Sequence, residues 1–269
     1  MRKLPLVYAK RFYITLCFFA CTQWSFAQDK LIRILDEEVQ REIQILKQQE
    51  VPAYYINYRV DEIYRYQIVS SFGALTYSLS NNSRYVTVTV RVGSSKMDNY
   101  HQIRDNYFDF RDYLPIDLPS TEEPLAIKQV LWNATNDAYQ QAVAKFSKVR
   151  ATVAVKVEEE DKSPDFTLEE QQNYFEPPIN LEDIKLDIPS WENRTRKYSM
   201  AFLKDSAIFD GTSSWGFQII RKYFVSSDGD KIAQNNTSAT MYVNGTIKAK
   251  DGMEMPLYKS FFAFMPEAD

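Results

Sequence analysis

The chain has 269 residues, of which 25% are charged and 45% hydrophobic, with a formal net charge of −4 and a pI near 5.3. No basic stripe stands out, which argues against nucleic acid as a partner. One histidine, His101, is too few for a two-histidine metal site or for a Ser-His-Asp triad beside any other histidine role, and no GxGxxG or GxxxxGK[ST] phosphate loop occurs.

The first residues read as a leader. Arg2, Lys3, Lys10 and Arg11 precede an apolar run from Ile14 to Ala20, and Ser25-Phe26-Ala27 is a small-residue exit. This is the layout of a signal peptide cleaved after Ala27, so the protein is expected in the periplasm or outside the cell. The run is shorter than the ~20 residues a membrane span needs, and the expected mature chain has no membrane span. A lipoprotein with Cys21 as the lipidated residue is the minor alternative, disfavoured by the bulky Phe18-Phe19 before it. Both cysteines, Cys17 and Cys21, lie in this segment, so residues 28–269 offer no disulfide, thiolate nucleophile or cysteine-bound zinc.

Asp29 to Gln49 reads as a helix, with Ile32, Leu35, Val39, Ile43 and Leu46 in one apolar stripe. Asp36, Glu37, Arg41, Glu42 and Lys47 form its solvated face. From Ala53 to Ser70 the period changes to two, with a break expected around Asp61-Glu62. Gly73–Ser80 and Arg84–Val92 read as two strands joined by a turn at Asn81-Asn82-Ser83. The second has a core face of Val86, Val88, Val90 and Val92 and a wetter face of Tyr85, Thr87, Thr89 and Arg91.

Met97 to Ser120 is loop-like. Its aspartates, Asp98, Asp105, Asp109, Asp112 and Asp117, lack the spacing of a calcium loop and read as solvated residues. His101 reads as a surface or hydrogen-bonding residue. A second helix is expected from Thr121, its N-cap, with Ile127, Leu131, Ala134, Ala138, Ala142 and Phe146 on one side and Trp132 at the core or its rim. Ala151–Val157 is a short strand or the end of that helix.

Residues 158–190 form an acidic, proline-containing linker or excursion, in which Glu169 and Glu170 read as a polar surface turn rather than an acid/base pair. Trp191–Phe202 is helical, with Thr195, Tyr198 and Phe202 on one side. Strands follow: Phe217, Ile219, Arg221 and Tyr223 alternate, Asp228-Gly229 turns the chain, and a return strand runs from Lys231 to Ile247. Asp251-Gly252 is a further turn before Leu257–Phe264. The expected organisation is a signal peptide (1–27), a helix/β-meander/helix block (28–157), the linker (158–190) and a helix with antiparallel strands (191–269). The fold class is α+β, an antiparallel or mixed sheet packed against a few helices in two helix-plus-sheet blocks.

Several of these stretches, in order, resemble the N-terminal region of the TldD/PmbA group of zinc-metallopeptidase-like proteins, particularly its exported variety. They are Gly73-Ala74-Leu75, Arg84, Val90-Arg91-Val92-Gly93, Asp98-Asn99, Leu114-Pro115, Leu131-Trp132 with Thr135, Tyr139 and Ala142, then Asp165-Phe166, Ser227-Asp228-Gly229 and Asp251-Gly252-Met253. The resemblance implies a domain that helps to enclose a peptide-binding space. It places zinc on a His-Glu-x-x-x-His or His-Glu-x-x-x-Asp helix in a separate catalytic half.

No such motif occurs here, and His101 is followed by Gln102. No catalytic residue or metal ligand therefore carries over, and no substrate-binding residue is assigned. No cofactor is expected on this chain; zinc belongs to the catalytic half or a partner. The function implied is a non-catalytic, substrate-enclosing or assembly domain acting in peptide processing with a peptidase-like partner subunit or as a homo-oligomer. The alternative is an exported peptide- or protein-binding module that uses the Tyr85/Arg91 sheet face. A carboxylate enzyme using Glu169 or Asp228 is the weakest reading.

Overall fold

The computed structural model describes residues 29–102, 114–154, 163–167 and 169–266, so the leader and Asp105, Asp109 and Asp112 lie outside the described residues. The elements are helix α1 (Lys30–Leu46), strands β1 (Ala53–Ser71), β2 (Ala74–Ser94), β3 (Met97–Asp98) and β4 (Ile116–Asp117), and helix α2 (Pro124–Val153). Strand β5 (Asn173–Phe175), helices α3 (Leu181–Ile184) and α4 (Ile188–Met200), and a 3-10 turn (Ala201–Lys204) come next. Strands β6 (Ile208–Ser226), β7 (Lys231–Lys248) and β8 (Glu254–Ala263) complete the series. The fold is α+β, with one open sheet in the order β3-β2-β1-β6-β7-β5, to which β4 adds on β2 and β8 on β7. The pairing of β8 with β7 is antiparallel, and the short β5 joins β7 in parallel.

The chain packs as two compact units, each assembled from three stretches: Met1–Arg59, Val86–Pro177 and Tyr223–Ala233, and then Val60–Tyr85, Pro178–Lys222 and Gln234–Asp269. In the first unit α1 starts at Asp29, whose Oδ1 accepts from the Ile32 amide at 3.1 Å. The expected stripe is buried with Leu31 and Ile34 added to it. Glu42 does not belong to the solvated face. It is buried together with Glu38, and both carboxylates accept from Arg41. Burial pushes the Glu42 carboxyl above its usual range, an effect that Arg41 partly offsets.

Helix α2 starts on Pro124 with Glu123 as its cap, two residues later than the expected cap Thr121, because proline fits a first helical position whose amide needs no partner. Its buried side includes Ile127, Leu131, Ala134, Thr135, Tyr139, Ala142, Phe146 and Val149. Trp132, placed by sequence in the core or at its rim, is 52% exposed and so is not in the core. Residues 151–153 are the end of α2, not a strand. Thr135 and Tyr139 tie the helix down, through Tyr58 Oη to Thr135 Oγ1 at 2.8 Å and Tyr139 Oη to the Val51 carbonyl at 2.9 Å.

In the second unit the two expected strands at 73–92 are one. Strand β2 runs unbroken through Asn81-Asn82-Ser83, and β1 runs unbroken through Asp61-Glu62. The reversal lies at Phe72-Gly73, where φ is 47° and 86°. Two left-handed residues match the twist of a tight hairpin. Phe72 adopts this costly conformation because its amide donates to the Gly211 carbonyl, while the Gly73 amide donates to Ser199 Oγ at 2.9 Å. The core is Ile68, Trp215, Phe217, Ile219, Ala239 and Met241, capped by Ile188 and Trp191 of α4. Trp191 stacks on Trp215 with centroids 4.7 Å apart. The stretch read as a linker or excursion thus supplies β5, α3 and the first turn of α4, with Pro189 inside that turn.

Candidate functional site

The first unit carries a buried polar network and the second an apolar groove. In the first unit Asp98 is fully buried on β3 and serves as a hub. Its Oδ2 accepts from the Tyr54 hydroxyl at 2.6 Å and from Arg91, and its Oδ1 accepts from the Tyr100 amide at 2.7 Å. The Asp98 amide in turn donates to Asp165 Oδ2 at 2.9 Å, and His101 Nδ1 lies 2.8 Å from Asp165 Oδ1. The Arg91 guanidinium sits between two rings, 4.5 Å from the Tyr100 centroid and 4.4 Å from that of Phe166. Burial works against the Arg91 charge, but the hydrogen bond and charge of Asp98 outweigh it and hold its pKa up. Burial, then Asp98, push the Tyr54 hydroxyl well above its ordinary range, so it remains a donor.

This arrangement is a lock. Every charged group in it has a partner within the unit, and Arg91 is committed to Asp98 and two rings rather than offered to a ligand. Asp98, read as a solvated loop residue, is instead the centre of the network. His101 is the expected hydrogen-bonding residue, with Asp165 as its partner. Among the described residues no group of three or more His, Cys, Asp or Glu could hold a metal ion.

Several residues that carried the family resemblance are likewise tied into the fold. Asn99 bridges β2 by accepting from the Val92 amide and donating to the Val90 carbonyl. Gly93 sits at φ 101°, against the Phe146 ring. Arg84 is buried on Glu62 at 2.7 Å. Asp228-Gly229 is the expected turn, with the Gly229 amide donating to Ser226 and Gln171 Nε2 donating to the Gly229 carbonyl at 2.6 Å. Glu169 and Glu170 are exposed surface residues.

The second unit carries a groove of about 770 Å³. Its floor is the helix-side face of β7 and β8, through Met241, Val243, Leu257 and Phe261; its wall is Trp191, Arg194 and Tyr198 of α4, with Phe202 behind. The lining is apolar and aromatic apart from two cations and no carboxylate. Arg194 lies 5.0 Å from the Trp191 centroid, and Lys259 Nζ lies 5.2 Å from that of Phe261. Gly211 and Gly245 leave room for Phe202, whose side chain would lie 2.6 Å and 2.8 Å from a Cβ at those positions. No residue singled out from sequence as a site lines this groove. Tyr198 and Phe202 were placed on one side of a helix, but the floor depends on strand pairing that no local pattern encodes.

No helix among the described residues is long and apolar enough to cross a membrane. Comparison with family models finds no match, and no curated protein matches the chain. Solved structures are similar at low identity. A proposed modulator of a DNA gyrase from Thermotoga maritima is 11% identical over 86% of this chain and 44% of its own, with a TM-score of 0.45. TldE from Thermococcus kodakarensis is 13% identical over 85% and 42%, with a TM-score of 0.46. A proposed modulator of DNA gyrase from Bacteroides thetaiotaomicron is 9% identical over 88% and 46%, with a TM-score of 0.45. The chain spans less than half the length of each of these proteins.

Proposed function

We propose that this chain is an exported, non-catalytic module that encloses an extended peptide and works beside a peptidase-like partner that supplies the zinc and the bond cleavage. The observation that carries the reading is the groove of the second unit. Its floor is strand surface, its lining is apolar and aromatic, and the cation Lys259 lies at that floor. That chemistry suits a peptide with alternating apolar side chains and a carboxylate, since aromatic floors supply contact area and cations fix polarity. The ordered sequence resemblance supports the peptide-processing context.

The test is fluorescence anisotropy of a labelled hexapeptide, Glu-Leu-Thr-Leu-Thr-Phe, titrated with the purified chain. Phe261→Ala is expected to weaken binding about tenfold, because truncating one buried aromatic contact costs about 1–2 kcal/mol. Lys259→Glu should weaken this peptide and spare its Gln-for-Glu counterpart. No binding by the wild-type chain overturns the reading, as does stoichiometric zinc accompanied by peptidase activity from this chain alone.

A further inference from the structure

Strand β8 has an unusual edge. All ten residues from Glu254 to Ala263 are exposed, and among the described residues the strand pairs only with β7. Its ladder is in a definite phase. The Ala249 amide donates to the Met253 carbonyl at 2.8 Å, in the register that continues as Lys248 opposite Glu254 and Ile247 opposite Met255. Antiparallel ladders alternate bonded and non-bonded pairs. Met255, Leu257, Lys259 and Phe261 therefore turn their amides and carbonyls to β7, while Pro256, Tyr258, Ser260 and Phe262 turn theirs to the free edge. Pro256 confirms the phase, because a proline is tolerated where no ladder amide is needed. It also blunts the N-terminal part of the edge and leaves Tyr258 to Phe262 open for pairing.

We propose that this edge pairs with the same edge of a second copy of the chain, antiparallel and centred on Ser260. Only a register that places outward-facing residues opposite one another makes bonds, and of these the one centred on Ser260 sets the two outward rings, Tyr258 and Phe262, against each other. Ser260 exchanges both of its bonds with the partner's Ser260, and Tyr258 faces the partner's Phe262 in each half. On the opposite face Lys259 lies across from the partner's Phe261, repeating the cation–ring pairing that Lys259 makes within its own strand. Aromatic cross-strand pairs are among the stronger units of sheet stabilisation.

The surface available fits a dimer. Leu257, Tyr258, Phe261, Phe262 and Phe264 are between 52% and 80% exposed. Side chains of this size offer at most about 600 Å² per copy, so up to about 1,200 Å² for the pair, the lower limit for a specific interface and the size of a reversible one. Pairing also completes the groove. Its floor ends at β8 in a single copy, and in the pair it continues onto the partner's β8, with α4 and the partner's α4 as facing walls. The pairing stands on the strand phase and holds whether or not the groove takes a peptide.

Sedimentation equilibrium of the full chain tests this. The wild type should show a concentration-dependent monomer–dimer equilibrium. Ser260→Pro, which removes an outward amide and no bond to β7, should weaken self-association at least about tenfold while melting near the wild-type temperature. A second variant guards against misfolding. Ser260→Cys, in a chain carrying Cys17→Ser and Cys21→Ser, should cross-link to a dimer under mild oxidation, because directly opposed bonded residues lie about 5.5 Å apart at Cα. Asn180→Cys in the same background should not.

A wild type that stays monomeric at all concentrations yet binds the hexapeptide overturns the pairing and leaves the peptide reading intact. A dimer indifferent to Ser260→Pro, or a Ser260→Cys chain that fails to cross-link, overturns it as well. Loss of hexapeptide binding in Ser260→Pro without wild-type self-association assigns the edge to a peptide instead of a second copy.

Discussion

Gly93→Ala should destabilise the first unit by about 3 kcal/mol, read as a loss of chemical-denaturation free energy without change in the denaturant slope. Two separate effects add. Gly93 has φ 101°, a conformation that costs an L-residue with a Cβ about 1–2 kcal/mol. An ideal Cβ there would also lie 2.6 Å from Phe146 Cε2 and 2.8 Å from the Met97 carbonyl oxygen. The ring belongs to a buried position of α2 and cannot withdraw without opening a void, and overpacking of this kind costs about 1–3 kcal/mol. Phe146→Leu in the same chain should recover part of the loss by relieving the clash while leaving the backbone strain. A change below about 0.5 kcal/mol for Gly93→Ala alone would mean that the turn relaxes freely.

Asp98→Ala is expected to cost about 4 kcal/mol, since removing one partner of a buried charge pair leaves the other uncompensated. Here the orphan is the Arg91 guanidinium, held between Tyr100 and Phe166, and the Tyr54 hydroxyl and Tyr100 amide lose their acceptor with it. Adding Arg91→Leu to Asp98→Ala should return at least about 1 kcal/mol, because the unpaired cation is then gone. Strict additivity of the two single substitutions in a double-mutant cycle would show that the pair is not coupled. Asp98→Asn, which keeps the shape and removes the charge, should fall between wild type and alanine.

How much of this was legible in the sequence depended on the range of the signal. Periodicity is local, and it placed the apolar stripe of α1 and the valine face of β2, while the Asp-Gly dipeptide placed the turn at Asp228-Gly229. Composition misled where pairing overrode it. Asn81-Asn82-Ser83 is turn-like, yet both neighbouring segments belong to one strand. The actual reversal is hidden at Phe72, a residue seldom found with positive φ. Charge misled at Glu42 and Asp98, because a carboxylate reads as solvated until its cation is known. Asp98 meets Asp165 across 67 positions, a separation that no motif spans. The groove was illegible for a related reason: its floor needs the register of β7 on β8, and its wall needs α4 to lie across them.

The alternating phase of β8 has a kinetic signature. In the monomer, at high dilution, amides that point at β7 can exchange with solvent deuterium only when the hairpin opens, whereas those that point at the free edge face water. Along β8 the exchange rate should therefore switch with every residue, slow at Leu257, Lys259 and Phe261 and fast at Tyr258, Ser260 and Phe262. Pro256 contributes no amide to the pattern. A strand that is protected on one side only is a ruler with every second mark erased, and whatever covers that edge restores the missing marks one amide at a time.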